Sequence, residues 1–453
     1  MGKYLKRPSR PAAIALTVIA LILAATAYAF VSLNKNATSA DAGAPPSPSL
    51  PPSSAQPSGN TQNFASSSPA ATGCSHPVSL HRASGAWMAD FNDDKQNTSA
   101  IPDGAGEFSL LDFDWLTFTT PGTLTQGDQF AQPLSSVLPA DAQVNPCTMR
   151  FVTINDASTP KRVMAEILTQ PSVMTQHVAA IAEEMAGLPD AAGLTLDYEF
   201  ALPYTQADLA TYAQVAGWHN MSFDQQVSQL TLDYNRLVQM TAAAMHNQHR
   251  LLRVAALVRN NDMVDSEKDN IAPYLFDYGQ LAASADQLVL MAIDFHFSGG
   301  SPGPIAPLSD VTQVAGYVRS YGIPLSKLAI EVANYSYDWP VTAGGANATN
   351  KSGQVIQAEQ RNPTQLAAAI EAGGWRRLGT RDGETQYGYT TTASGKQVQH
   401  IVWDAATALS YKKAQLSKVL PGVPINIWQI GNNDPVGTAL AAQVKLNNQP
   451  STN

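Results

Sequence analysis

Two carboxylates lie two residues apart at the end of a short segment that reads as a β-strand. The segment 194–200 alternates apolar and polar side chains, so its polar positions share one face of the strand. Asp197 and Glu199 therefore point to the same side, within reach of each other. If that side lines the interior of a barrel, the like charges raise the pKa of one of them, the state that a general acid needs near neutral pH. The alternative is an ordinary solvated strand face, and spacing alone does not separate the two.

The rest of the chain supplies the elements that must position this pair. Most of the segments with strand character are separated by helical stretches, of which 176–187, 223–245 and 310–321 are the clearest. The strand segments are 85–91, 113–119, 149–154, 194–200, 253–258, 288–295, 328–332 and 425–428. Strands that alternate with helices predict a parallel sheet, and eight such units predict an α/β fold, the (β/α)8 TIM barrel, over 74–447.

Polar and aromatic residues accumulate where these predicted strands end. They are Asp90, Asn155, Asp197, Glu199, Asn260, Asp294, Tyr335 and Trp428. The carboxyl ends of barrel strands carry the chemistry in this fold. The coincidence favours the catalytic interpretation of Glu199. Between the seventh and eighth strands, a small α+β insertion is predicted over about 340–415, beside the cleft.

The N-terminal 73 residues differ sharply from the rest. Residues 12–33 carry no charge and follow a basic segment, 1–11, which predicts a transmembrane signal anchor with a cytoplasmic N-terminus. The Ala27-Tyr28-Ala29 sequence is a possible cleavage site, so a cleaved signal peptide stays open. Residues 34–73, rich in Pro and Ser, predict a disordered linker. We therefore expect a single-pass cell-membrane protein with its catalytic domain outside, or a secreted protein if the signal is cleaved.

The two cysteines and the net charge limit which metals, cofactors and macromolecules we expect the protein to bind. Cys74 and Cys147 are the two cysteines, and outside the cytosol such a pair forms a disulfide more often than a metal site. The sequence contains no C-x-x-C and no H-E-x-x-H pattern, and we expect no metal and no cofactor. A net charge of −9 speaks against a general nucleic-acid binder. We expect a monomer.

Several segments together resemble glycoside hydrolase family 18, the chitinase-like (β/α)8 enzymes. The family pattern D-G-x-D-x-D-x-E falls on 192–199, and 291–294 resembles its M-x-Y-D segment. Residues 335–339 resemble Y-G-Y-D-W, and 422–431 is similar to the closing segment. The likeness is greatest to the bacterial branch of spore-germination and peptidoglycan N-acetylglucosaminidases.

The resemblance implies substrate-assisted, retaining hydrolysis of β-1,4 bonds beside N-acetylglucosamine in peptidoglycan or chitin-like glycans. Glu199 would protonate the glycosidic oxygen, and the 2-acetamido carbonyl of the sugar would attack the anomeric carbon. Asp197 would hydrogen-bond the acetamide N–H, and Asp294 would support the same group. Trp428 would stack under the reacting sugar. Tyr335 and Trp339 are implied to contact substrate.

Two further positions are candidate sugar contacts from the residues themselves. Trp87 could form a subsite platform or pack in the core, and Asn260 could bind sugar hydroxyls or a loop backbone. Both alternatives stay open.

The sequence departs from the family pattern at the site. Thr195 stands where the family has an Asp, although its hydroxyl could still hydrogen-bond Asp197 near the substrate. Ile293 replaces an aromatic hydroxyl, a loss of one transition-state hydrogen bond that would cost roughly 10²–10³ in rate. These departures leave two alternatives: a catalytically silent, carbohydrate-binding barrel of the same shape, or a structural scaffold of the cell envelope.

Overall fold

The computed structural model describes Cys74 and residues 79–88, 108–127, 132–261, 270–393, 396–431 and 434–446. The predicted segments 1–11, 12–33 and 34–73 and the strand-end residue Asp90 lie outside these ranges. Within them, no helix is both long enough and apolar enough to cross a membrane.

Eight parallel strands close into a barrel. In chain order they are Gly85–Met88, Leu110–Thr120, Met149–Asn155, Gly193–Asp197, Leu251–Ala256, Gln287–Met291, Leu328–Ala333 and Ile425–Ile430. The first strand pairs with both the second and the eighth, which closes the sheet. A short strand, Thr123–Gln126, pairs antiparallel with the second. The predicted (β/α)8 barrel is confirmed.

Helices cover the outside of the barrel. They are Leu134–Val144, Lys161–Thr169, Pro171–Ala186, Gln206–Ala216, Phe223–Asn247, Tyr278–Ser284, Leu308–Ser320, Leu409–Val419 and Pro435–Leu446. Phe223–Asn247 begins at a capping box in which Ser222 and Gln225 satisfy each other's backbone N–H groups. Its buried stripe includes Leu230, Leu237 and Val238. The three helices expected most clearly from the sequence are therefore present, with ends shifted by a few residues.

The fourth barrel strand shows how the sequence determines local packing. Leu194 and Leu196 face the helices and are fully buried, while Thr195 and Asp197 face the barrel interior. A Cβ at Gly193 would lie 2.4 Å from the carbonyl oxygen of Leu251, so a glycine is needed where these strands meet.

Two predicted strand ends that contain candidate catalytic residues are wrong. The fourth strand ends at Asp197, so Glu199 lies in the following loop, and the sixth ends at Met291, three residues before Asp294. The loop replaces the strand after Asp197 because the Asp156 carboxylate accepts the N–H groups of Glu199, Phe200 and Ala201. Asp294 has a φ of 57°, which a strand cannot contain.

Between the seventh and eighth barrel strands, the chain forms a second, antiparallel sheet. Its five strands lie in the spatial order Glu359–Arg361, Ser336–Val341, Lys396–Asp404, Glu384–Ala393 and Arg376–Arg381. A helix, Pro363–Glu371, accompanies them. We call this part the insertion sheet. The carboxylate of Glu384 connects it to the barrel by accepting the N–H groups of Ile305 at 2.7 Å and Ala306 at 2.9 Å.

A disulfide joins the two ends of the first part of the folded chain. Cys74 and Cys147 are bonded, with their Cα atoms 4.9 Å apart and 73 positions between them in sequence. The predicted pairing is confirmed. A cross-link over a loop of this length restricts the unfolded chain and stabilises the folded one.

Candidate active site

The carboxyl group of Glu199 lies at the mouth of the barrel, in the loop that follows the fourth strand. Three consecutive N–H groups of this loop point at Asp156, with N···O distances of 2.8–3.0 Å. Glu199 stays half-buried, so a ligand can reach it. Burial, and then the charges of Asp156, Glu331 and Asp294, raise its pKa well above the ordinary value. A raised pKa keeps the proton on Glu199 to higher pH than on an ordinary glutamate, which is the direction that a general acid requires.

Asp197 lies directly below Glu199, at the end of the fourth strand. It is 4% exposed, and its Oδ1 atom has no hydrogen-bond partner in the described part of the chain. Burial, followed by the charges of Glu199 and Asp114, raises its pKa well above the ordinary value. One carboxylate oxygen therefore remains available to accept a hydrogen bond from a ligand.

Asp294 is the third predicted catalytic carboxylate, and two tyrosines hold it. The hydroxyls of Tyr335 and Tyr337 donate to its two oxygens, the second at 3.3 Å. Burial raises the pKa of Asp294 to about 6, although both hydroxyls oppose the shift. The charge of Asp294 acts on Glu199, which places both groups in one cluster. Tyr335 is 3% exposed, so its position favours orienting Asp294 over contacting a sugar.

Thr195 does not have the partner expected for it. Its side chain is fully buried and donates to Asp112 Oδ1 at 2.6 Å, so the predicted hydrogen bond to Asp197 is wrong. Asp112 in turn forms a buried ion pair with Arg253, whose Nε atom donates to Gln287 at 2.9 Å. A group at this depth cannot contact a substrate. Thr195 instead belongs to a polar layer beneath the catalytic carboxylates.

The aromatic candidates divide into one accessible ring and two buried ones. Trp428 on the eighth strand is partly buried, and the ring of Trp87 packs edge-on against it at 5.4 Å. Trp87 is 1% exposed and Trp339 is 0% exposed, so neither offers a face to a sugar. Trp339 donates its indole N–H to the carbonyl of Phe297 at 3.2 Å. The core alternative therefore holds for Trp87, and the prediction of a substrate contact for Trp339 is corrected to a packing role.

Asn260 and Ile293 belong neither to the carboxylate cluster nor to the aromatic candidates. Asn260 follows the fifth strand, half-buried, and its Oδ1 accepts from Asn261 at 3.0 Å, so its role toward a sugar stays a prediction. Ile293 packs partly buried against the core.

Several buried groups at the site were not anticipated from the sequence. They are Asp114, Asp156, Glu331, Tyr204 and Tyr337. Two signals could have identified some of them. An Asp-Phe-Asp alternation interrupts the apolar second strand at 112–114, and Glu331 interrupts the apolar seventh strand. Asp156 carries no signal of its own, because its three partners lie 43–45 residues away.

The sequence matches a known family over the segment that contains these residues. The match to the family described as glycosyl hydrolases family 18 covers residues 171–432, more than half of the chain. The chain belongs to glycosyl hydrolase family 18. The resemblance based on 192–199, 291–294 and 335–339 is thereby confirmed.

Relatives point to the same bacterial branch. The cortical fragment-lytic enzyme of Bacillus subtilis (strain 168) is 28% identical over 163 residues, which are 35% of this chain and 34% of that enzyme. The spore cortex-lytic enzyme SleL of Bacillus cereus has the same fold, with a TM-score of 0.58 and 15% identity over 80% of this chain and 73% of that one. The chain spans about a third of the length of the first curated relatives that it matches.

The fold also occurs in a protein named as an agglutinin. A chitinase-like agglutinin of Robinia pseudoacacia superposes with a TM-score of 0.56 and 16% identity, covering 80% of this chain and 99% of that one. At this identity the likeness concerns the fold alone.

Proposed function

We propose that this chain is a glycoside hydrolase that cleaves β-1,4 bonds next to N-acetylglucosamine in peptidoglycan or chitin-like glycans. The observation that carries the proposal is the cluster of Glu199, Asp197 and Asp294 at the mouth of a family 18 barrel, where the charge of Glu199 acts on Asp197 and that of Asp294 acts on Glu199. The relatives named for lysis of spore cortex favour a cell-wall glycan as the polymer.

Each residue of the cluster suits one step of a substrate-assisted reaction. Glu199 has a raised pKa and is accessible, so it can donate its proton to the glycosidic oxygen as that bond breaks. The carbonyl oxygen of the sugar's own 2-acetamido group forms the new bond to the anomeric carbon. Glu199, now ionised, then takes a proton from the water that opens the resulting oxazolinium ion. The configuration at the anomeric carbon is retained, because two displacements occur.

The other two carboxylates act on the acetamido group. The free Oδ1 atom of Asp197 suits an acetamide N–H, and a negative charge there offsets the positive charge that develops on the ring formed by that group. Asp294, held by Tyr335 and Tyr337, can orient the same group. The accessible face of Trp428 can stack against the apolar face of the sugar.

A polymer of this kind lies outside the cytosol, and the chain has features that suit export. The proposed anchor at 12–33, or its cleavage as a signal peptide, would place the barrel at the cell surface, and the linker at 34–73 would let it reach the wall. The Cys74–Cys147 disulfide supports an oxidising compartment. We propose that the protein acts there as a monomer on N-acetylglucosamine polymers and not on nucleic acid.

The second candidate function is carbohydrate binding without turnover. Ile293 favours it, because an aliphatic side chain next to Asp294 supplies no hydroxyl to the acetamido oxygen.

Turnover and binding separate the two candidates. The purified full-length protein is incubated with a chromogenic N-acetylglucosamine oligomer, and with peptidoglycan and chitin side by side, and the released reducing ends are identified. We expect Glu199→Gln to lower the rate by about 10²–10⁴ because it removes the general acid. Glu183→Gln, the same change on an exposed helix surface, serves as the matched control and leaves the rate unchanged. Oligomer binding without Glu199-dependent turnover would select the lectin alternative.

A further inference from the structure

The second barrel strand places two buried aspartates in different surroundings. Asp112 is fully buried and compensated, because it pairs with Arg253 and accepts from Thr195. Asp114 is 2% exposed, and its described hydrogen bond comes from the side-chain amide of Asn155, at 2.8 Å. No ion pair reaches Asp114 within the described ranges. A buried carboxyl group without a cation is costly in its ionised form.

Asn155 connects Asp114 to the fourth barrel strand, which ends at Asp197. In the sheet, Asp114 lies opposite Thr153 of the third strand, and Asn155, two residues further along the same face, lies opposite Asp197. Neighbouring strands are about 4.8 Å apart. Asn155 thus links the two strands: its amide donates to Asp114, and the residue lies opposite Asp197 in the sheet.

The charges around this layer are predominantly negative. The charges of Asp112 and Asp156 act on Asp197. Those of Asp156 and Glu331 act on Glu199, and that of Asp112 also acts on Glu331. Arg253 on the fifth strand pairs with Asp112, and its charge also lowers the pKa of Glu331. Asp197 and Glu199 form no ion pair with a cation in the described part of the chain.

Asp114 changes its charge in the pH range where an acid catalyst operates. Burial raises its pKa to about 7, with the hydrogen bond from Asn155 opposing the shift and the charge of Asp112 adding to it. The charge of Asp114 in turn raises the pKa of both Asp197 and Glu199.

We propose that Asp114 is a positioning residue of the catalytic site, whose carboxyl group, held by Asn155 on the strand next to Asp197, sets the charge state of the Asp197–Glu199 pair. The effect of Asp114 on catalysis rests on the proposed function. It assigns to the second strand a group that acts through Asp197 and Glu199 without touching the sugar. A merely structural Asp114 would affect stability and leave the ionisation of Glu199 unchanged.

The test compares Asp114→Asn with wild type in the full-length protein. Removing the negative charge makes Glu199 easier to ionise, so the alkaline limb of the pH profile of kcat/KM moves to lower pH, by about one unit for a unit charge at this range. Asp114→Glu keeps the charge and keeps the limb near its wild-type position. Asp404→Asn makes the same change at a buried carboxyl group of the insertion sheet and leaves the limb in place.

A second readout does not need turnover. Protein labelled with ¹³C at the glutamate carboxyl carbons is titrated by NMR, and the Glu199 resonance is identified by its loss in Glu199→Gln. We expect the Glu199 midpoint to fall in Asp114→Asn and to stay unchanged in Asp404→Asn. A wild-type protein without turnover would refute the proposed function, while this titration would still decide the role of Asp114.

Two outcomes overturn the inference. One is a lower rate in Asp114→Asn with the pH profile of kcat/KM unmoved, and the other is a Glu199 midpoint that is the same in Asp114→Asn as in wild type. If Asp114→Asn does not fold, Asn155→Ala replaces it. Loss of the amide hydrogen bond keeps Asp114 protonated to higher pH, so the Glu199 midpoint falls in the same direction by a smaller amount. An unmoved midpoint in that variant counts equally against the proposal.

Discussion

Buried acids occur in two parts of this protein, and their partners differ. In the insertion sheet, the 2% exposed Asp338 accepts hydrogen bonds from His400, Tyr389 and Arg361. Burial alone would raise its pKa, but the hydrogen bonds from His400, Tyr389 and Arg361 outweigh burial and lower it. At the barrel mouth, burial and then the charges of neighbouring carboxyl groups raise the pKa values of Asp197 and Glu199.

The contrast separates acids that hold the fold from acids that can do chemistry. A compensated carboxylate is ionised and fixed, so it contributes to structure and has no proton to give. An uncompensated one destabilises the folded state when it ionises, and it can act as an acid at neutral pH. Burial is common to both, and the neighbouring charge decides the role.

The largest change in stability is expected from breaking a buried ion pair. Lys412 and Glu384 form an ion pair whose side chains are 1% and 0% exposed. Lys412→Met leaves the Glu384 carboxylate buried without its cation, and we expect the free energy of unfolding to fall by about 3–5 kcal/mol. Urea denaturation measures it. Lys418→Met on the exposed face of the same helix is the control and should change it by less than about 0.5 kcal/mol. Equal stability of both variants would refute the structural role of the pair.

At the barrel mouth, we expect a substitution to lower activity and to leave the free energy of unfolding intact. Asp197→Asn removes the charge that offsets the developing oxazolinium ion, so kcat should fall by roughly 10²–10³. The free energy of unfolding at pH 8 should not fall, because the substitution removes a buried carboxyl group whose ionised form is disfavoured by burial and by Glu199. Turnover assays and urea denaturation at pH 8 check the two parts. A large loss of stability in this variant would show that Asp197 is a structural acid like Asp338.

The sequence predicted the barrel well because its signals are local. The alternation of apolar and polar residues, together with apolar runs, located all eight strands. The polar residues at the strand ends predicted that Asp197, Glu199 and Asp294 lie at the same edge of the barrel. The exact ends were not predictable from the chain alone. Glu199 leaves the strand because of Asp156, and Asp294 has a left-handed backbone, held beside Tyr335 and Tyr337.

The errors at the site share one cause, which is that partners come from distant parts of the chain. Thr195 was expected to bond Asp197 nearby but bonds Asp112, 83 positions away. Asp114 is held by Asn155, 41 positions away. Trp339 was expected to face a sugar because of its neighbours in sequence, yet the loop at Phe297 covers it. Strand patterns do not contain this information, since it arises only when the barrel closes.

The central claim is that burial, reinforced by the charges of neighbouring carboxyl groups, raises the pKa of Glu199 well above its ordinary value. A ¹³C NMR titration of the Glu199 carboxyl carbon in the wild-type full-length protein tests it most directly, with Glu199→Gln identifying the resonance. We expect a midpoint well above the ordinary glutamate value of 4.5. A midpoint at or below 4.5 would mean that Glu199 is ionised at neutral pH, and the catalytic account would be contradicted.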